Sequence, residues 1–151
     1  MAPMAEIWFY HLERHPLRQV LPQLLSRGLQ QGRRMVVQTA TAETIPQISD
    51  LLWSAEDVAF LAHGFGDDIG TQQLLWLCAD NANPNSASYR FYVEGALPTH
   101  LDGLERALIL FESSSEDELA TIRNEWKKRK AEGHSISYWK QDESGKWQNL
   151  A

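Results

Sequence analysis

Cysteine occurs once in the 151 residues, at Cys78. A lone thiol excludes an internal disulfide and any cysteine-based zinc site, and its position inside the apolar run 74–79 predicts burial. Long apolar runs are missing too: 74–79 and 107–111 fall far short of the roughly 20 residues that cross a bilayer, so no membrane span is expected. Residues 1–6 do not show the basic start and apolar stretch of a secretory signal, and the expectation is a cytoplasmic protein. Positive charge is in deficit, with 14 Lys and Arg against 20 Asp and Glu and a formal net charge of −6. A surface of that sign does not coat nucleic acid by neutralising phosphates, so any nucleic-acid role is local or indirect.

The composition that remains is that of a globular protein: 43% hydrophobic and 23% charged, near the ordinary averages. The length suits one domain over residues 1–151. No repeat or low-complexity tract interrupts it, and strand-like and helix-like periods alternate. The run Ile7-Trp8-Phe9-Tyr10, within 6–12, suits a strand covered on both faces. Leu17, Val20, Leu21, Leu24 and Leu25 then recur at helical spacing, with Pro16 at the first turn, Gly32 as a stop, and Pro22 predicting a kink or a late start. Residues 35–38 read as a second strand. Thr41 is a candidate cap for a helix carrying Ile45, Ile48, Leu51 and Leu52 inward, with Pro46 near its start.

Residues 54–70 form a long connection, a kind of segment that is often functional. Strands are expected at 74–79 and 89–93, separated by the turn-forming Asn83-Pro84-Asn85. Leu101, Leu104, Leu108 and Phe111 fit a helical stripe, although 107–111 also reads as a buried strand. The clearest helix spans 116–132: Ser115 and Glu118 have capping-box spacing, acidic residues fill its first turn and Lys127 to Lys130 its last, and Gly133 stops it. Residues 137–141 and 146–148 flank Asp142-Glu143-Ser144-Gly145 as a β-hairpin. The expected fold is α/β: a central, mostly parallel sheet flanked by helices, ending in a C-terminal hairpin.

Catalytic and phosphate-binding patterns are scarce. Gly64, Gly66 and Gly70 do not have the interval of a dinucleotide-binding loop, and no Walker spacing occurs. His11 and His15 lie four apart, but Glu13 is misplaced for a zinc-protease motif, so a solvated or hydrogen-bonded pair is the better reading and no metal is expected. His63 with Asp67 or Asp68 could form an acid–base cluster, the basis of an alternative reading as a small hydrolase or transferase. No nucleophile elbow accompanies it, which favours a structural role for His63.

Charge segregation is more informative. Residues 119–132 hold five basic side chains against two acidic ones, a local +3, while the rest of the chain carries −9. Arg123, Trp126, Lys127 and Lys130 are related by steps of three and four and share one helical face. Such a face can take a chain-terminal carboxylate on the arginine while an apolar side chain packs on the indole, so acidic peptide tails suit it. The competing reading has the lysines complementing the helix dipole and Trp126 filling the core. Trp53 and Phe60, flanking the long connection, are a second candidate docking pair, with core packing as their alternative. Direct DNA binding through Lys127 to Lys130 is a third option, opposed by the acidic remainder.

Across the chain, Phe9-Tyr10-His11-Leu12, Leu51-Leu52-Trp53, Phe60-Leu61-Ala62-His63-Gly64, Asn83-Pro84-Asn85, Trp126-Lys127, Gly133-His134, Tyr138-Trp139, Gln141-Asp142, Gly145 and Trp147 stand in an order and at intervals that resemble the chi subunit of bacterial DNA polymerase III. Ala62 and Leu74 depart from the family pattern, which usually has proline at both. The resemblance implies a fold like that of mononucleotide-binding proteins without the phosphate loop, no catalysis by this chain, and no cofactor. It implies an adaptor in the clamp-loader assembly, one surface holding the psi subunit and another the acidic C-terminal tail of single-stranded DNA-binding protein. The family's tail-binding positions correspond to Arg123, Trp126 and Lys127, with tryptophan where some members have tyrosine. Trp53 and Phe60 match positions that contact psi or a competing helicase partner.

Overall fold

A computed structural model describes residues 5–54, 63–64, 66, 74–99, 101, 103–112 and 116–150. Seven strands form one sheet: β1 (Glu6–His11), β2 (Met35–Gln38), β3 (Leu75–Cys78), β4 (Tyr89–Tyr92), β5 (Arg106–Phe111), β6 (Ser135–Gln141) and β7 (Trp147–Asn149), in the order β3-β2-β4-β5-β1-β6-β7. Every pairing is parallel except β6 with β7, which closes the chain as an antiparallel hairpin. The α/β class, the mostly parallel sheet and the terminal hairpin are as the sequence predicts. Among the described residues, no helix is long and apolar enough to cross a membrane.

The helices are α1 (Leu17–Gln30), α2 (Ile45–Trp53) and α3 (Glu116–Ala131). Residues of α1 and α2 share one core with Tyr10, Val37, Leu77, Phe91 and Leu110 of the sheet. On the opposite face, Ile122 of α3 packs with Ile7, Phe9, Ile109 and Phe111. This two-sided cover explains β1, whose successive residues are apolar because each face of the strand meets a core. It also decides the segment with the helical stripe. Residues 106–111 are strand, paired with β1 on one side and β4 on the other, so the spacing of Leu101, Leu104, Leu108 and Phe111 was coincidental.

Local starts and stops depart from the expectations in detail. α1 begins at Leu17 and runs through Pro22 to Gln30, so the proline neither delays nor ends it. A short 3-10 turn, Ala42–Thr44, precedes α2; Thr41 makes no side-chain cap bond, its hydroxyl meeting that of Thr44 at 2.9 Å. Ser115 lies outside the described residues, and Glu118 Oε1 accepts the backbone N–H of Glu112 at 3.2 Å. The hairpin loop is organised by Asp142, whose Oδ1 takes the N–H groups of Ser144 and Lys146 and the Ser144 hydroxyl. These bonds, led by that hydroxyl, hold the Asp142 carboxyl below its ordinary value. Gly145 completes the turn at φ 87°, a left-handed conformation that glycine adopts at no steric cost.

Candidate functional site

Open parallel sheets take ligands beyond the carboxyl ends of their strands. There, a cavity of about 320 Å³ is lined in part by Gly95, Glu94, Glu112 and Glu118. Three carboxylates make it the wrong sign for a phosphate. The site with distinctive chemistry lies instead along α3 and the strands it crosses.

Trp126 is half-buried. Its ring stacks on Phe9 of β1, centroids 5.8 Å apart at 22°, and lies 5.7 Å from Tyr138 of β6. One side of the indole thus joins the core, as the competing reading expects, and the residue keeps solvent access. Arg123, Lys127 and Lys130 are exposed around it. Among the described residues none of the three has an ion-pair partner.

Arg129 differs from those cations in facing inward. It is buried on the inner side of α3, where Nε donates to Glu125 Oε1 at 2.7 Å, Nη1 to Glu132 Oε1 at 3.0 Å and Nη2 to the Pro98 carbonyl at 2.5 Å. The two carboxylates of residues 119–132 thus both bond to this one guanidinium, Glu132 also lying 3.4 Å from His134 Nε2. The outer surface keeps Arg123, Lys127, Lys128 and Lys130, all exposed. The Glu132 carboxyl is held below its ordinary range, chiefly by its hydrogen bond from Arg129.

Two further residues reach this site from the sheet. The register that sets Phe9 opposite Tyr138 and His11 opposite Lys140 puts β6 side chains beside α3. Tyr138 Oη and His11 Nδ1 are 2.5 Å apart, and the His11 ring stacks on Phe111 with centroids 4.7 Å apart. Glu13 lies 3.5 Å from His11 Nε2 and 3.2 Å from Lys140 Nζ. Burial pushes the Tyr138 pKa up and the His11 pKa down; the Arg123 charge acts on Tyr138 in the opposite sense to burial. Helical spacing on α3 does not reveal either residue. The available signal was the strand alternation that puts Ile136, Tyr138 and Lys140 on one face. His15 is separate from His11: a Cβ at Gly145 would sit 3.2 Å from its Nε2. Among the described residues no group of three or more His, Cys, Asp or Glu could hold a metal.

The second candidate surface is at the other end of the molecule, near edge strand β3. Trp53 at the end of α2 is 51% exposed and Leu74 is 44% exposed. The Trp53 ring lies 4.6 Å from that of His63, whose Nε2 is 2.8 Å from the Ser49 hydroxyl. Ser49 is no nucleophile elbow, since it is buried within α2. Gly64 pairs with β3 through its N–H to Leu75 and its carbonyl to Leu77. Phe60, Asp67 and Asp68 lie outside the described residues.

Against known proteins, a family model for the DNA polymerase III chi subunit, HolC, matches residues 4–137. The chain belongs to that family. Membership makes it an accessory subunit of DNA polymerase III, a protein of DNA replication. The match spans β1 to Ser137 and includes Arg123, Trp126, Lys127, Lys130, Trp53 and Phe60; Tyr138 lies one residue beyond it. No curated protein matches the chain.

Proposed function

We propose that this chi-family subunit is a non-catalytic adaptor that ties the clamp loader to the acidic C-terminal tail of single-stranded DNA-binding protein. The supporting observation is that Arg123 and Lys127, beside a half-buried Trp126, are exposed and have no ion-pair partner among the described residues. Arg123 pairs with the terminal carboxylate of the tail, Lys127 and Lys130 attract its acidic residues, and Trp126 walls the space for an apolar last side chain. Charge-assisted hydrogen bonds contribute about 1.5–3 kcal/mol each, so one tail binds at micromolar strength, about −8 kcal/mol. Several tails on one DNA-bound oligomer raise the effective affinity further. Trp53 and Phe60 belong to a second contact, made with a psi subunit or another clamp-loader component. In this reading residues 1–151 act as one cytoplasmic unit, without a cofactor, and nucleic acid is reached through the partner.

Titration with the tail peptide, followed by tryptophan fluorescence, tests the proposal. Binding is expected to be lost when the last residue of the peptide is deleted and in Arg123→Ala. Unchanged binding in both cases removes the site.

One observation favours a second reading, a small hydrolase: the Ser49–His63 contact. Burial of Ser49 inside α2 and the Trp53 ring over His63 weigh against it. A turnover abolished by both Ser49→Ala and His63→Ala supports that reading over the adaptor.

A further inference from the structure

The contact between His11 and Tyr138 bears directly on what the α3 site can recognise. A phenol hydroxyl has its proton and an acceptor position on opposite sides of the oxygen, both near the ring plane. When His11 is neutral at Nδ1, it accepts the Tyr138 proton across the 2.5 Å contact, and Tyr138 shows only lone pairs to any other group. A carboxylate held at Arg123 then meets an oxygen with nothing to donate. When Nδ1 carries a proton the bond reverses: His11 donates, and the Tyr138 proton turns to the other side.

We propose that Tyr138 is a further binding residue of the site and His11 its positioning residue: protonated His11 donates to Tyr138 Oη, freeing the Tyr138 O–H to donate to a carboxylate of an acidic peptide held by Arg123. The inference rests on the proposed capture of an acidic tail and adds that this capture takes up a proton. The groups facing His11 come from every element around it. They are Glu13, 3.5 Å from Nε2, which favours the cation; Lys140 on β6, which opposes it; Glu118 on α3, which favours it; and the apolar ring of Phe111 on β5. Burial outweighs these charges and leaves His11 the weaker base. The free protein therefore holds the neutral form near neutrality; with the ring proton on Nε2, the side that faces Glu13, Nδ1 accepts from Tyr138 and the donor position is empty. A bound carboxylate favours the protonated form mainly by accepting the Tyr138 proton, which that form leaves free. By linkage, the ligand that is bound tighter by the protonated protein raises the affinity of the protein for that proton by the same factor.

The probe is a labelled peptide of four aspartates ending in leucine with a free carboxylate, read by fluorescence anisotropy from about pH 7.5 to 5.5, above the range in which aspartate titrates. The wild-type protein is expected to bind tighter at the acid end, by up to about tenfold, the factor that a His11 pKa rise of one unit carries. Tyr138→Phe keeps the ring contact with Trp126 and is expected to bind with a flat profile. His11→Gln, which cannot ionise, is expected to be flat as well. NMR titration of the His11 ring gives an independent reading: its pKa is expected to rise by up to about one unit on saturation with peptide, and by much less in Tyr138→Phe. A wild-type slope that persists in Tyr138→Phe, or a His11 pKa unmoved by bound peptide, overturns the inference while leaving tail capture standing. A wild-type protein that binds the peptide at no pH overturns both.

Discussion

Arg129 and Glu125, one helical turn apart and both buried, form a 2.7 Å ion pair that pins the inner face of α3 to the Pro98 carbonyl. A buried pair of this kind adds little net stability, but removing one partner strands the other charge away from water. Arg129 keeps Glu132 and the Pro98 carbonyl in Glu125→Ala, so the expected cost in urea unfolding is about 1.5–3 kcal/mol, that of one charge-assisted hydrogen bond. Arg129→Met with Glu125→Leu, which removes both charges and keeps the volume, is expected to recover most of that loss. A double variant no better than Glu125→Ala would show that the pair itself, and not the stranded charge, stabilises the helix.

The exposed cations predict the reverse division of labour. Arg123→Ala and Lys127→Ala each remove an exposed side chain without an ion-pair partner among the described residues. Unfolding free energies are expected to stay within about 0.5 kcal/mol of wild type. Acidic-peptide affinity is expected to fall and, in Lys127→Ala, to depend less steeply on salt, because exposed charges steer through a screened field. A loss of stability matching the loss of binding would make these residues structural.

Legibility of the sequence followed the range of the interaction. β1 could be read because a strand covered on both faces writes an unbroken apolar run, and α3 because caps and charges mark a helix locally. Residues 106–111 could not be settled from spacing, since a doubly covered strand has no period of its own and its neighbours Leu101 and Leu104 complete a chance stripe. Pairing with β1 and β4 decides it, and pairing is not written in the segment. The site divides the same way. Steps of three and four put Arg123, Trp126, Lys127 and Lys130 on one face, but the same steps could not tell that Arg129 turns inward to Glu125 and Glu132. Nor could they find Tyr138, which meets His11 across 127 residues through sheet register alone.

His11 also predicts the pH dependence of folding. Its pKa is lowered in the folded protein, first by burial, from the ordinary 6.5 it keeps when unfolded. The unfolded chain therefore binds more protons over the interval between the two values, and stability rises with pH there. It is expected to decline as pH falls through about 6.5 and to level off below the folded pKa. In His11→Gln that part of the slope should vanish, as measured by thermal melts across the same pH range. A slope retained by the variant assigns it to another group.

Gly145→Ala tests the hairpin. The position needs φ 87°, and an added Cβ would come within 3.2 Å of His15 Nε2. Backbone strain at a left-handed position costs about 1–2 kcal/mol. The loss is expected to be concentrated in β7, seen as faster amide exchange at 147–149, since β7 is an edge strand paired with β6 alone and its Trp147, edge-on to Tyr10 at 5.0 Å between centroids, is only partly buried. Uniform exchange across the sheet would show that the hairpin unfolds only with the rest of the protein.

Trp53 separates the two proposed surfaces. Its ring is half exposed at the end of α2 and leans on His63, far along the sheet order from β6 and the α3 site. A large exposed indole contributes little to folding but is the kind of residue on which an interface concentrates its energy, about 2 kcal/mol or more on truncation. Trp53→Ala is therefore expected to leave unfolding and acidic-peptide affinity unchanged while reducing co-purification with a psi subunit supplied from the same host. Arg123→Ala should do the opposite, keeping the psi contact and losing the peptide. If either substitution weakens both interactions together, the two surfaces are one, and the division of labour between α2 and α3 fails.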